Sequence, residues 1–146
     1  MSGLFERILL LKQSTLFSAV STEDLQSIAI AMEEEQFFKD DKIFEQDHYG
    51  EHLYIIQEGE VGISLENNSP EFIETLGKGE DFGVMSLLDD QSRIGTAMAL
   101  QDTKLLSLEK SKLHGLILHY PELSIGMLKC ISLKLRNAIL TSNNNE

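Results

Sequence analysis

Apolar positions change their spacing twice along the chain. Near the start, LFERILLLK places them as on a short amphipathic helix. Further on, Val20-Ser21-Thr22-Glu23-Asp24-Leu25 has the form of a helix start. Ser21 is the cap, Asp24 stands at the third helical position facing the free amides, and Val20 and Leu25 form a hydrophobic staple. Leu25, Ile28, Ala29 and Met32 share one face, which predicts a helix from Thr22 to Glu33.

From Gln36 to Leu108 the period shortens to two. Leu53-Tyr54-Ile55-Ile56 is a β-branched and aromatic run, and Glu58-Gly59-Glu60 signals a hairpin. Val61, Ile63 and Leu65 then alternate with Gly62 and Ser64. Asn67-Asn68-Ser69-Pro70 is another turn, after which Phe72 to Leu76, Arg93 to Leu100 and Lys104 to Leu108 read as strands. Short strands with frequent turns and no long helix between them predict antiparallel sheets closed into a barrel or jelly roll. Helical spacing returns at the end. Ser111 is placed to cap a helix running to His119 or Tyr120, and Pro121 to open the last one. That last helix carries an apolar stripe of Met127 or Leu128, Ile131, Leu135 and Ile139, which has to pack on something, while Thr141 to Glu146 reads as a frayed end.

Composition narrows the class. A chain of 146 residues, 42% apolar and 25% charged, has the size and make-up of one globular domain. The expected division is N-terminal helices over 1–35, a β-roll over 36–108 and C-terminal helices over 111–140, all in a single unit. The lone Cys130 lies in a helical apolar pattern, which points to a buried, inert thiol and a reducing compartment. No apolar run is long enough to span a bilayer and no secretory leader is evident, so the expected location is cytoplasmic, without membrane insertion. The net charge is −12. Residues 21–60 hold twelve acids against two bases, whereas residues 104–146 hold six bases against three acids. Such a surface repels phosphate backbones, so nucleic acid is not an expected partner. Runs such as Glu33 to Glu35 and Asp40 to Asp41 read as solvated edges.

Five phrases in order carry a resemblance: LFSAVSTEDLQSIA, KIFEQDHYGEHLYIIQEGEVGI, GKGEDFG, SRIGTA and LHGLILHYPELSIGMLKCISLKLR. From Leu16 to about Arg136 the chain closely resembles the cyclic-nucleotide-binding domain family. The resemblance implies a mainly β fold with flanking helices, a double-stranded β-helix or jelly roll, with cyclic AMP or cyclic GMP held against a short helical turn. Carried onto this chain, the ligand cassette comprises Gly83, Val84, Met85, Ser86, Arg93, Ile94 and Gly95. A helix N-terminus and a forked guanidinium are apt receptors for a cyclic phosphate monoanion, and Arg93 supplies the fork. The bland alternative pairs Arg93 with Asp89 or Asp90 at the surface.

The cassette departs from the family pattern. Members that bind cyclic nucleotides usually read FGE and, later, PR with a small residue; this chain reads FGV and SRI. Val84 has no acceptor for the ribose 2′-hydroxyl, a loss of about 1.5–3 kcal/mol. Ile94, in place of a small residue, is expected to obstruct the phosphate. Gly50, Gly59, Gly79 and Gly83 read as turn and close-approach positions, and Asp47 stands where the family usually has glycine. The expected result is a retained scaffold with damaged recognition: no cofactor, or a cyclic nucleotide or other small anion held weakly.

Three rivals bear on this reading. A cupin-type metalloenzyme shares the roll, but His48, His52 and Glu58 lack the close H-x-H spacing, and 53–113 contain no histidine. A transcription factor requires a helix-turn-helix where this chain has its polar tail. An interaction module uses the stripe Met127, Leu128, Ile131, Leu135 and Ile139 to dock an effector protein or a second copy, whereas a sensor moves the same helix when its ligand binds.

Overall fold

The computed structural model describes residues 3–65 and 71–144, the side chains of 143 and 144 excepted; the turn predicted at Asn67 to Pro70 lies outside the described residues. Helix α1 (Leu4–Gln13) leads through a 3-10 turn (Thr15–Phe17) to α2 (Thr22–Ala31). Ser21 caps α2 as expected, its hydroxyl accepting from the Asp24 amide at 3.3 Å. The helix stops two residues short of the predicted end. Glu33–Phe37 forms strand β1, paired antiparallel with β8 (Thr103–Glu109), so Glu34 and Glu35 are half-buried strand residues and not part of a solvated edge. Pairing along a buried sheet overrides the helix preference of glutamate. Arg7 of α1 closes the break, donating to the carbonyl of Ala29 at 3.1 Å, which also accepts the Met32 amide, and to the carbonyl of Met32 at 2.8 Å.

The remaining strands are β2 (Lys42–Phe44), β3 (His52–Glu58), β4 (Val61–Ser64), β5 (Glu74–Leu76), β6 (Asp81–Phe82) and β7 (Thr96–Ala99). They form two antiparallel sheets with orders β1-β8-β3-β6 and β2-β7-β4-β5, a jelly roll. Besides β1, the short β2 and β6 were not foreseen, because two or three residues are too few to show a period.

Strand β3 explains why Leu53 to Ile56 is apolar without interruption. Leu53 and Ile55 face a core shared with the helices, while Tyr54 and Ile56 face the interior of the roll. Alternate side chains on a strand point to opposite faces, and here both faces are dry. On β8, Leu106 and Leu108 enter the helical core and Leu105 enters the roll. Inside the roll Tyr54 stacks on Phe82 at 5.1 Å, with Phe44 beside both.

Two helices follow, α4 (Lys110–His119) and α5 (Glu122–Asn144). Ser111 is not the cap of α4: β8 runs straight into the helix, Glu109 holds the capping position, and the Ser111 hydroxyl donates to the Glu109 carboxylate at 2.8 Å. Pro121 precedes the first residue of α5, and the Tyr120 hydroxyl lies 3.0 Å from that of Ser27 on α2. The tail does not fray at Thr141, since α5 continues to Asn144. The predicted apolar stripe of this helix divides. Leu123, Met127 and Cys130 are buried against Leu16 and Phe17, but Ile131 is half-buried and Leu128, Leu135 and Ile139 are exposed. The helix outruns the roll, so its distal turns have nothing to cover them. Among the described residues no helix is long and apolar enough to cross a membrane.

The two-faced burial of β3 makes it the least tolerant element. Ile55→Ala is expected to destabilise the fold by about 2–5 kcal/mol, and Leu140→Ala, on the exposed distal turn, by less than about 0.5 kcal/mol, as measured by urea unfolding.

Candidate ligand cassette

Strand β6 delivers the chain to Gly83, whose φ of 88° lies in the left-handed region, and from there to α3 (Val84–Asp89). A side chain at Gly83 would be strained by this φ and would also stand 3.0 Å from Arg93 Nη1. After α3, the backbone of Arg93 pairs with the β2–β3 loop: its amide donates to His48 O and its carbonyl accepts from Asp47 N, each at 2.8 Å. Asp47 adopts the left-handed φ, 69°, that a glycine would adopt without strain.

These pairings turn the Arg93 side chain inward. It is 3% exposed. Nη1 donates to Gly83 O and Nη2 to His52 O, each at 2.6 Å, and the guanidinium carbon lies 4.0 Å over the Phe44 ring. Nε is buried with no hydrogen-bond partner. A Cβ on Gly50 would overlap the guanidinium, which is the close approach expected of that glycine. Among the described residues no carboxylate pairs with Arg93. Asp90 pairs with Lys110 instead, and Asp89 accepts from the Gln91 amide, so the surface ion pair considered for Arg93 does not form. Desolvation lowers the pKa of Arg93, while the charges of Tyr54 and Glu51 act against the shift.

All seven cassette residues, Gly83, Val84, Met85, Ser86, Arg93, Ile94 and Gly95, line one cavity of about 110 Å³. Two depart from their expected roles. Val84 is 1% exposed and packs in the helical core with Leu87 and Ile55. Ile94 is 64% exposed, a residue of the cavity mouth more than a plug. Phe44, Glu74, Leu76, Asp81 and Lys134 line the same cavity and are not among the expected cassette residues. Phe44 and Lys134 come from distant segments, and nothing in their immediate neighbours places them at the cassette. His48 contacts Glu45 at 3.4 Å, His52 lies beside the Tyr54 ring, and among the described residues no three potential metal ligands converge. Cys130 is a buried free thiol whose pKa is raised by burial and by the neighbouring Asp81 carboxylate.

The fold is a two-sheet β-roll that brings a short helical turn and a buried arginine to one cavity. Comparison with known proteins specifies the class. Residues 34–120 match the family model of the cyclic nucleotide-binding domain, and the chain belongs to that family. It is 31% identical over 133 residues to the cyclic AMP receptor protein of Thermus thermophilus, covering 89% of this chain and 61% of that protein. In structure it resembles the catabolite activator protein of Thermus thermophilus with a TM-score of 0.80 and 28% identity, over 88% of this chain and 62% of the other. It also resembles the regulatory subunit of a cAMP-independent protein kinase A from Trypanosoma brucei, with a TM-score of 0.72 and 25% identity, over 77% of this chain and 40% of the other. The chain thus spans less than two thirds of the length of these relatives.

Tyr54, beside the cassette, gives the fold an alkaline limit. Its phenol is pushed up to about 12 by desolvation first and by Glu35 second, with Arg93 opposing. Because the folded-state pKa is raised, the contribution is complete below the ordinary value near 10 and is lost as pH rises towards 12. Wild type is expected to lose about 2 kcal/mol over that window beyond any loss in Tyr54→Phe, as read by urea unfolding at stepped pH.

Proposed function

We propose that the chain is a non-catalytic regulatory module of the cytoplasm whose cassette receives a small anion and binds cyclic AMP and cyclic GMP weakly or not at all. The observation that carries this reading is Arg93, a guanidinium 3% exposed that forms no ion pair with a described carboxylate, Glu51 acting on it only through its charge. A buried cation without a contacting counter-charge is costly, and the polar carbonyls of Gly83 and His52 offset that cost only in part. An anion seated beside it completes the compensation. Two features weigh against a cyclic nucleotide as that anion. Val84, where a ribose acceptor is required, has its side chain in the core. The cavity of about 110 Å³ is also well below the range of roughly 300–1,000 Å³ usual for ligand sites. The resemblance to the regulatory subunit of a protein kinase A described as cAMP-independent supports a roll whose role does not depend on that nucleotide.

The genuine-sensor alternative makes the opposite claim about the same residues, and calorimetric titration separates the two. Cyclic AMP and cyclic GMP are each expected to show dissociation constants weaker than the micromolar range. A low-micromolar value for either sinks the degenerate-cassette reading and restores Arg93 and the 83–88 turn as a working nucleotide site.

The output surface in this reading is α5. Leu128, Leu135 and Ile139 are exposed and Ile131 is half-buried on its distal part, at the spacing of a helix-pairing seam. A second copy or an effector protein docks there. Light scattering is expected to report a dimer for wild type and a monomer for Leu135→Glu. A monomer in both removes self-association and leaves the effector.

A further inference from the structure

A cavity of about 610 Å³ lies away from the cassette, between α1 and the sheet that contains β1, β8 and β3, and no lining residue is common to the two. Its volume is inside the range of roughly 300–1,000 Å³ usual for small-molecule sites.

The sheet supplies its floor. Leu53 and Ile55 on β3 and Leu106 and Leu108 on β8 carry the helical core, and at one end of the same strands these apolar residues give way to Gln57 and Lys104. Gln57 is the extra residue of a β-bulge, since Ile56 pairs with Leu105 and Glu58 with Lys104. Successive side chains of a regular strand point to opposite faces, yet the bulge brings both Gln57 and Glu58 to this one cavity. Leu9 and Leu10 of α1 add apolar surface opposite them.

Much of the charge around the cavity is matched within the protein. Glu34 stands 4.0 Å from Arg7 Nη2, and Glu58 stands 3.8 Å from Lys104 Nζ. Three lining groups are left over. Gln57 Oε1 is buried and has no hydrogen-bond partner among the described residues, an acceptor costly to leave unmade. Lys78, from the β5–β6 turn, and Glu6, from the first turn of α1, are exposed and have no ion-pair partner among the described residues. The lining as a whole holds three acids and three bases, so it favours neither a net cation nor a net anion. What is left unmatched is a buried acceptor, a free cation and a free anion, beside an apolar wall.

We propose that this cavity is a second ligand site, for a zwitterion with an apolar side chain, either a free amino acid or a short peptide. The ammonium group donates to Gln57 Oε1 and is balanced by Glu6, the carboxylate meets Lys78, and the side chain lies on Leu9 and Leu10. The site does not rest on the cassette reading and stands or falls separately from it.

Leucine and leucyl-leucine, each taken to millimolar concentration, are titrated into the whole chain while amide chemical shifts are followed by solution NMR. At least one of them is expected to produce saturable shifts at Gln57, Lys78, Lys104 and along α1, and the tighter of the two identifies the source as amino acid or peptide. Isoamylamine, which lacks the carboxylate, and isocaproate, which lacks the ammonium group, are each expected to bind about tenfold more weakly than leucine or its dipeptide. Lys78→Met is expected to weaken binding about fivefold and Lys78→Arg to preserve it within about twofold. Gln57→Met is expected to weaken binding about tenfold; if it fails to fold, the exposed Lys78 pair still decides. The proposal is overturned if neither zwitterion shifts these residues or if the shifts fall only on Gly83 to Gly95. It is equally overturned if a singly charged analogue binds as tightly as the zwitterion or if Lys78→Met leaves the affinity unchanged.

Discussion

The guanidinium of Arg93 is the constraint on which the rest of the cassette depends. It draws together segments that share no local sequence: the Phe44 ring on β2, the His52 carbonyl on β3 and the Gly83 carbonyl ahead of α3. Its own backbone is fastened to the β2–β3 loop. A charge this deeply buried forces its surroundings to supply acceptors and to leave room. The carbonyls meet the first demand. Gly50 and Gly83, where a Cβ would crowd the guanidinium, meet the second. The cassette is therefore organised about a cation even though the chain as a whole carries a net charge of −12.

Around this fixed centre the fold is stiff on one side and loose on the other. Strand β3, buried on both faces, welds the roll to the helical core. Helix α5 joins that core only through its first turns, at Leu123, Met127 and Cys130. Beyond them it carries apolar side chains into solvent. A rigid roll with a lightly tethered helix is the arrangement in which a small change of charge inside the roll has a large lever outside it. Val84 belongs to the stiff part, packed in the helical core with Leu87.

The relatives frame what such an arrangement serves. The chain matches a cyclic nucleotide-binding domain over 34–120 and spans only part of proteins that carry further segments. In the proposed reading, reception of an anion in the roll and docking through α5 are separable physical tasks, the first electrostatic and the second apolar.

Local rules made much of this legible in advance. Ser21 as a cap, the Leu53 to Ile56 strand and the glycines that accompany close approach follow from short-range sterics and hydrogen bonding, which adjacent residues specify. Five ordered phrases added the family, and the resemblance alone named the cassette residues from Gly83 to Gly95. Other features required the tertiary structure. Glu33 to Glu35 became a strand only because β8 offered a partner, and α5 left Leu135 and Ile139 bare only because the roll ends before the helix does. Whether Arg93 faced an acid, solvent or the interior, and whether Asp81 met Lys134, depended on residues dozens of positions apart. Such distances in space arise from the packing of whole elements, and no window of the chain contains them.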